Sequence, residues 1–403
     1  MTAIQVVILV VYAVIVAAWP IRLFVLEVIL RRQSALVSES PRYDRPDPPL
    51  VSAILPAKDE EAYLALCLQS ICKLTYPNLE ILVVDDRSTD RTGEIARGIA
   101  SGDARVRVFT IDELPPGWTG KTHALEHASQ LARGKWLLFV DADTIHAPDS
   151  LGIMMEFAHR EQAVLASLLP ELRCDSFWER VMQPVAAITL MQSFPLHEVN
   201  NNRSKLAFAN GQYILIERTA YDAAGGHEAV RDRFVEDIAL AQRVKALGLP
   251  IRVALARGIV SCRMYASFAQ LVRGWSRIFY DALGRNPWRL VKKLLDPIVF
   301  CQTGHVALGA GLVLLARGGG IFAVSLSAMS IAHHVFMYLV FRRVYRAAAE
   351  RPSFSSWYPI ANLVVDLILI RAICMCLTGN VTWRGTNYAV SPPAVELDAG
   401  SQK

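Results

Sequence analysis

Four long apolar blocks constrain the fold of this chain more than any other feature of its sequence. The first runs from Val6 to Ile21 and continues past Arg22 to Leu30, and three more lie at 298–316, 321–341 and 358–377. Each approaches the ~20 residues that a helix needs to cross a hydrocarbon layer. No basic segment precedes the first block and no small-residue cleavage site follows it, which favours a retained anchor over a signal peptide. We therefore expect an integral membrane protein.

Basic residues beside these blocks predict which side of the membrane the rest of the chain occupies. Arg22, Arg31 and Arg32 lie within or just after the first block, and the segment 342–351 between the last two blocks carries four arginines. By the positive-inside rule both regions are cytoplasmic, and so is the long middle region. The net charge of +5 is too small to indicate a nucleic-acid partner, and none is expected.

The middle region has the alternation of an α/β domain. The apolar runs VSAIL, EILVVDD, VRVFTI and KWLLFVDAD are typical of strands, and helical patterns separate them. This alternation predicts a Rossmann-like, mostly parallel sheet over residues 50–267. A polar, proline-rich linker at 33–49 connects it to the N-terminal transmembrane anchor at 1–32.

Residues 268–297 have a composition of their own. Apolar residues recur there at helical spacing, and six basic residues between Arg273 and Lys293 are interleaved with Trp275, Tyr280 and Trp288. This pattern favours amphipathic helices in the headgroup plane, with ordinary surface helices as the alternative. Two or three spans are expected at 298–378, followed by a tail at 379–403.

Carboxylates cluster where the expected strands end. PAKDEE follows VSAIL, Asp85 and Asp86 end the second run, and Asp141 and Asp143 end the fourth. Ligands of open parallel sheets bind at the carboxyl ends of the strands. A single aspartate there could be only a helix N-cap, as Asp90 could be. The whole set instead indicates a site for a cation or a donor-rich ligand, because neighbouring carboxylates repel one another.

Two site chemistries place acids at strand ends. A dinucleotide-binding dehydrogenase needs a glycine-rich turn after the first strand, and here that turn reads LPAKDEEA without glycine. The other is a nucleotide-diphosphate-sugar site, in which an Asp-x-Asp pair holds a divalent cation against the diphosphate. Oxygen ligands of this kind suit Mg²⁺ or Mn²⁺.

The motifs PAKDEE, VVDDRSTD, VDAD and VEDIALAQRVKALG, in this order, resemble the signatures of a family 2 inverting glycosyltransferase with a GT-A fold. The resemblance covers roughly residues 50–280. LPPGWTGKTHAL and the flanking spans are similar to the subgroup that acts on lipids, which includes hopanoid-biosynthesis-associated, carotenoid and, more distantly, ceramide glycosyltransferases. The resemblance implies transfer of a sugar from a UDP-linked donor to a lipid hydroxyl, with inversion. It further implies a bacterial inner-membrane protein with a cytoplasmic catalytic domain.

The resemblance also implies roles for individual residues. Asp237 is the expected general base, and Glu236 and Arg273 are grouped with it as catalytic. Asp141 and Asp143 form the metal motif, with Asp143 preferred as direct ligand. Asn210 and Gly211 belong to the acceptor side. The expected nucleotide-sugar-binding residues are Pro56, Ala57, Glu60, Asp85, Asp86, Lys121, Asp141, Gln270, Arg273 and Arg277, with Asp86 or Asp85 accepting the uracil imide N–H.

One motif departs from the family pattern. Many members have Gln-x-x-Arg-Trp, whereas this chain reads QLVRGWSR, with Gly274 in place of the tryptophan. On a helix, Gln270, Arg273 and Arg277 share one face, so we predict that both arginines face the diphosphate and that Trp275 packs on the apolar face.

Several alternatives remain open at this point. A polyprenyl-phosphate sugar transferase or a processive polysaccharide synthase is the enzymatic alternative, although the altered motif and the few spans argue against a synthase. A membrane scaffold with a degenerate transferase domain is the alternative outside enzymes. The tail motif GNVTWRGTNY fits either an interfacial anchor or a re-entrant last block.

Overall fold

The computed structural model describes residues 1–383 and 386–389, so the rest of the predicted tail lies outside the described residues. In chain order, the strands are β1 Ala35–Leu36, β2 Val51–Ala57, β3 Leu79–Asp86, β4 Val106–Ile111, β5 Trp136–Val140, β6 Thr144–His146, β7 Leu165–Leu169, β8 Glu171–Leu172, β9 Tyr213–Glu217, β10 Ile251–Ala256, β11 Val260–Cys262, β12 Asn380–Trp383 and β13 Thr386–Ala389. The α-helices are α1 Ala3–Arg32, α2 Leu64–Cys72, α3 Thr92–Ala100, α4 Gly120–Leu131, α5 Ser150–Arg160, α6 Phe177–Met191, α7 Leu196–Val199, α8 Arg218–Ala223, α9 Glu236–Ala246, α10 Phe268–Ala282, α11 Pro287–Pro297, α12 Thr303–Ala316, α13 Gly320–Ala347 and α14 Tyr358–Thr378. A π-helical turn at Ile298–Gln302 and 3₁₀ turns at Glu228–Val230 and Pro352–Trp357 complete the helical elements.

The chain forms two compact units. Arg32–Arg173 and Met191–Met264 make up the first, here called the sheet unit. Met1–Arg31, Cys174–Leu190 and the chain from Tyr265 onward make up the second, here called the helical unit. Residues Cys174–Leu190 thus pack with the helices, although they fall inside the predicted domain 50–267.

The sheet unit is built on eight strands in the order β1-β10-β7-β9-β5-β2-β3-β4. β9 runs antiparallel to β5 and β7, and the other neighbours pair in parallel. β6, β11 and β8 form a small second sheet. The architecture is the expected α/β class with a mostly parallel central sheet.

Continuous apolar runs explain why this sheet is mostly parallel. All eight residues of β3 and six of the seven residues of β2 are buried. Strands that bury both faces occur in sheets covered by helices on both sides, and such sheets are typically parallel. β2 extends through Pro56 and Ala57, so these two residues belong to the strand rather than to the loop after it. Within the predicted linker, Ala35 and Leu36 add an edge strand beside Leu255 and Ala256.

The helical unit contains all the predicted apolar blocks. Within the described residues, four helical segments are long and apolar enough to cross a membrane, namely Ala3–Arg32, Pro287–Ala316, Gly320–Ala347 and Pro352–Thr378. Many of their large apolar side chains are exposed, including Ile4, Val306 and Leu363. Exposed apolar surface on this scale is typical of helices that contact lipid.

Candidate functional site

The carboxyl edge of the sheet carries the candidate site. β2, β3 and β5 are parallel neighbours, so their ends meet there, and Asp141 directly follows β5. β9 runs the other way and begins at the same edge, where Tyr213 lies opposite Val140. This reversal brings the residues just before β9, Asn210 and Gly211, to the strand ends.

Lys121 stands at the centre of a compact charged cluster. Its Nζ lies 2.6 Å from Asp141 Oδ1 and 2.8 Å from Glu236 Oε1. Gly211 lines the same cluster, because a Cβ there would lie 3.0 Å from Lys121 Nζ and 3.2 Å from Asp237 Oδ2. The structure therefore brings together five of the predicted residues, Lys121, Asp141, Gly211, Glu236 and Asp237, hereafter the Lys121 cluster.

Charge balance sets the protonation of this cluster. Burial alone would lower the pKa of Lys121, but the carboxylates of Asp141, Glu236 and Asp237 raise it above its ordinary value. Burial raises the pKa of Glu236, and Lys121 opposes that shift. The ammonium group is therefore permanently charged near neutral pH and offers a fixed cation at the strand ends.

Asp237 lies in the first turn of α9 and is held by two backbone N–H groups. Gly211 N donates to its Oδ2 at 2.6 Å, and Ile238 N donates to its Oδ1 at 2.7 Å. Burial and the neighbouring Glu236 raise the pKa of Asp237 to about 7, against the opposing effects of Lys121 and the two N–H donors. A helix N-terminus stabilises a carboxylate, so a helix-terminal role alone does not account for a raised pKa. A carboxylate that titrates near neutrality suits a general base.

Asp85 and Asp86 end β3 and are both buried. Arg87 binds Asp86 in a bidentate manner, with Nε to Oδ1 at 2.7 Å and Nη2 to Oδ2 at 3.0 Å. Each carboxylate also lies against a glycine, because a Cβ on Gly93 or Gly120 would come within 2.3 Å of Asp85 Oδ2 or Asp86 Oδ2, respectively. These glycines are needed to make room for the two acids.

The loops that follow β2 and β3 are tied to each other. Glu60 N donates to Thr92 Oγ1 at 2.7 Å, and Thr89 N donates to Asp59 Oδ1 at 2.8 Å. Pro56 and Ala57 lie beside Val84 and Asp85 in the parallel register. The predicted nucleotide-binding residues of the two strands thus lie at the same edge of the sheet, where hydrogen bonds connect the two loops.

The carboxylates of Asp141 and Asp143 suit a metal ion that also binds the phosphates of the substrate. Within residues 1–383 and 386–389, no group of three or more His, Cys, Asp or Glu side chains is arranged to hold a metal ion. Mg²⁺ and similar ions usually bind through one or two carboxylates plus substrate phosphates and water. Asp141 and Asp143 can supply such a pair, with one oxygen of Asp141 already facing Lys121.

Gln270, Arg273 and Arg277 lie on α10 in the helical unit, and their predicted role toward the diphosphate stays a prediction. Gln270 helps to cap α10, because its Oε1 accepts from Ala266 N at 3.0 Å and its own N donates to Ser267 Oγ. Arg273 is exposed and Arg277 is half-buried.

The altered tryptophan motif has a steric explanation. A Cβ on Gly274 would come within 2.3 Å of the Tyr265 ring, so the ring occupies the space that a larger side chain would need. Trp275, one residue later, is 4% exposed and donates from Nε1 to Gln183 Oε1 at 2.7 Å. It therefore packs on the apolar side of α10 against α6.

The sequence did not predict a polar network that connects α4, the helix of Lys121, to residues 221–228. Glu126 Oε2 accepts from Tyr221 Oη at 3.0 Å, from His227 N at 3.0 Å and from Glu228 N at 3.2 Å. Tyr221 Oη also lies 2.9 Å from His227 Nδ1, and burial lowers the pKa of His227 to about 3. The network connects α4 to the segment before Glu236. Its members come from separate elements, so no spacing in the sequence reveals it. Arg87 and Gly120, by contrast, lie inside the motifs VVDDRSTD and LPPGWTGKTHAL.

Comparisons with known proteins agree with this architecture. Residues 52–225 match the family model described as Glycosyl transferase family 2. The chain is 24% identical over 351 residues to the 4,4'-diaponeurosporenoate glycosyltransferase of Staphylococcus aureus (strain USA300), covering 85% of this chain and 88% of the relative. The enzyme of the same name from Staphylococcus haemolyticus (strain JCSC1435) is 25% identical over 269 residues, covering 66% of this chain and 70% of the relative.

A solved structure shares the fold. The mannosyltransferase PcManGT from Pyrobaculum calidifontis, in complex with GDP-Man and Mn²⁺, aligns with a TM-score of 0.57 at 18% identity. The alignment covers 92% of this chain and 99% of that chain. The strand-end acids, the family match over residues 52–225 and the shared GT-A fold agree, and the chain is therefore an enzyme of the glycosyltransferase type.

Proposed function

We propose that this enzyme transfers a sugar from a UDP-linked donor to the hydroxyl group of a lipid, with inversion at the anomeric carbon. The observation that carries the proposal is the Lys121 cluster. It places a carboxylate whose pKa is raised to about 7, Asp237, beside a permanent cation at the carboxyl edge of the sheet. These are the two groups that an inverting transfer requires, a base for the acceptor and positive charge for the leaving group.

Asp237 is the general base of the proposed reaction. Its carboxylate takes the proton of the acceptor hydroxyl as the hydroxyl oxygen bonds to the anomeric carbon. The bond from that carbon to the diphosphate oxygen breaks, and its electrons leave with the diphosphate. The N–H groups of Gly211 and Ile238 fix the orientation of the carboxylate. Its position in the first turn of α9 keeps the ionised form accessible near neutral pH.

Lys121 supports the leaving group and the base at once. Its ammonium group is held between Asp141 and Glu236 and is only 18% exposed. Positive charge in a site with little water stabilises a departing anion more strongly than it does in bulk solvent. Asp85 and Asp86 are the proposed partners of the uracil imide, with Pro56, Ala57 and Glu60 lining the nucleotide pocket.

Asp141 and Asp143 would hold the divalent cation. When bound, Mg²⁺ or Mn²⁺ would neutralise charge on the diphosphate. The two carboxylates provide the hard oxygen ligands that both ions prefer. The Mn²⁺ in the PcManGT complex supports a metal of this kind here.

The lipid acceptor is supported by two independent features. The Staphylococcus relatives are named for action on diaponeurosporenoate, which supports a lipid substrate. Within the described residues, four helical segments are long and apolar enough to span a bilayer, which would bring the enzyme to such substrates. In this proposal α10 and α11 lie in the headgroup plane, where exposed Trp288 and the basic residues of α11 meet lipid.

Product analysis tests the proposal directly. The purified protein is incubated with a bacterial lipid extract, Mn²⁺ and isotopically labelled UDP-sugars, and the products are identified by mass spectrometry. The expected product is a lipid that has gained one sugar through a hydroxyl group. A sugar polymer would indicate a processive synthase, a polyprenyl-phosphate sugar would indicate the other enzymatic alternative, and either result would overturn the proposal.

Two variants assign the base. Asp237→Asn is expected to abolish transfer while UDP binding, measured by calorimetry, is retained. The matched control, Asp222→Asn, changes an exposed aspartate on α8 and is expected to transfer at the wild-type rate. A normal rate in Asp237→Asn would contradict the assignment.

A further inference from the structure

A polar stripe runs along the last apolar helix. Tyr358, Asn362 and Asp366 recur every four residues on α14, so they lie on one face at successive turns. All three are buried. Other positions of the same helix, such as Leu363 and Leu367, are exposed and apolar. α14 therefore turns its polar stripe inward and its apolar side outward, in a segment long enough to span a membrane.

Gln302 and His305, at the start of α12, contact this stripe. Gln302 Nε2 donates to Asp366 Oδ2 at 2.7 Å, and the His305 ring lies 6.2 Å from the Tyr358 ring. Gln302 ends the π-helical turn that follows Pro297. We call Gln302, His305, Tyr358, Asn362 and Asp366 the Asp366 cluster. π-Helical turns inside helices are frequent at functional sites.

A neighbouring cluster in the same unit shows how these helices satisfy polar groups that serve packing. His333 is fully buried, its Nδ1 lies 3.0 Å from Tyr12 Oη, and its Nε2 lies 2.8 Å from Phe300 O. Trp19 Nε1 donates to the same carbonyl at 3.0 Å. Each ring nitrogen of His333 thus has a partner, as expected for a structural contact between helices.

The Asp366 cluster differs in this respect. Asp366 is 9% exposed and Asn362 is 3% exposed. Among the residues that the structure describes, Asp366 Oδ1, Asn362 Nδ2 and His305 Nε2 are buried without a hydrogen-bond partner. Ionisable and polar groups within apolar spans are costly, and they commonly mark functional sites. The cluster therefore presents both a free acceptor and a free donor that the polypeptide leaves unsatisfied.

We propose that the Asp366 cluster binds the hydroxyl group of a lipid. One hydroxyl can donate to Asp366 Oδ1 and accept from Asn362 Nδ2, whereas an anion would be repelled by the aspartate and an ammonium group would leave the amide donor without an acceptor. Asn362 and Asp366 lie in a segment that is long and apolar enough to span a membrane, so a lipid is the class of ligand that this segment would meet. The proposal concerns the helical unit and does not assume the transfer reaction.

Photolabelling tests this site without the sugar donor. The full-length protein in lipid nanodiscs is exposed to a diazirine-bearing hexadecanol or to its methyl ether, and labelled peptides are mapped by mass spectrometry. The ether keeps the acceptor oxygen but lacks the donor. We expect the alcohol to label segments 298–316 and 358–378 about fivefold more than the ether, the effect of one lost hydrogen bond.

Variants separate a lipid site from a structural one. Asp366→Leu removes the acceptor of the hydroxyl proton and is expected to abolish the preference for the alcohol. Asn362→Leu removes the donor to an oxygen that both probes carry and is expected to lower labelling by both. The control, Ser330→Ala, removes a buried hydroxyl that donates to Leu326 O and should keep the preference. Asn362→Leu removes an unsatisfied group, so its thermal unfolding temperature should not fall.

Three outcomes would overturn the proposal. They are equal labelling by alcohol and ether in the wild type, a preference that persists in Asp366→Leu, and a destabilised Asn362→Leu, which would mean that water and not a lipid completes the cluster. UDP calorimetry on the same samples reports separately on the sheet unit, so a failure here is distinguishable from a failure of the proposed function.

Discussion

Replacing Asp237 with asparagine should remove activity and, at alkaline pH, add stability. The carboxylate is held against Glu236 and Lys121, and its pKa is raised from 3.8 to about 7. An acid whose pKa is raised by folding stabilises the protein fully only below its unfolded pKa. That contribution is lost as the pH rises from about 4 through 7, because the folded state must then carry a charge that burial disfavours.

The size of the effect follows from the change in pKa. A rise of about three pH units corresponds to about 4 kcal/mol once both states are ionised, at about 1.4 kcal/mol per unit. Between pH 5 and pH 8 the wild type should lose about 2 to 3 kcal/mol through this group. The amide that replaces the carboxyl group carries no charge. The variant Asp237→Asn should therefore lose no stability through this position between pH 5 and pH 8. The difference corresponds to about 5 to 10 °C in unfolding temperature for a unit of this size.

Thermal unfolding of both proteins in the same detergent, at half-unit steps from pH 5 to pH 8.5, measures this difference. The transfer rate of the wild type should rise about tenfold between pH 6 and pH 8, following ionisation of the base. Asp222→Asn provides the control, with a stability profile parallel to that of the wild type. The reasoning would be refuted by parallel profiles for Asp237→Asn and the wild type, or by a transfer rate that does not change across this range.

Three further variants probe the rest of the site. Gly120→Ala places a Cβ within 2.3 Å of Asp86 Oδ2, so UDP affinity measured by calorimetry should fall about tenfold, whereas Gly98→Ala, which meets no neighbour, should leave it unchanged. Asp143→Asn should abolish the dependence of UDP binding on Mn²⁺ in the same assay, and binding that still responds to Mn²⁺ would contradict the metal assignment. Glu126→Gln replaces a charged acceptor of three donors by a neutral one, so the unfolding free energy should drop by about 2 kcal/mol, and an unchanged value would argue against the α4 network.

The fold could be predicted largely from local patterns. Continuous apolar strands alternating with helices indicate a parallel sheet, and blocks of about 20 apolar residues indicate spans, because each pattern is set by a periodicity or a length. The exceptions involve long-range pairing. β9 enters the sheet antiparallel between β5 and β7, and the short segment Ala35–Leu36 becomes an edge strand. No local sequence pattern indicates either pairing, because each depends on which strand edge is free in the folded sheet.

The candidate site was predictable where its acids end strands. Asp85, Asp86 and Asp141 were placed at one edge because the carboxyl ends of parallel strands meet. Their partners were not predictable in the same way. The bidentate contact of Arg87 with Asp86 is made where the chain turns through a positive φ of 54° at Arg87, which residue type alone does not indicate.

The sequence by itself determined three features of this protein. They are apolar segments suited to a bilayer, a sheet with acids at its strand ends, and a family match across 52–225. Only the tertiary structure decided which charges meet. Lys121, Asp141, Gly211 and Asp237 come from separate elements, and the spacing between them carries no information about the 2.6 Å contacts that they make. Electrostatic coupling depends on distance and burial, both of which are properties of the folded chain, and the pKa of Asp237 is set there.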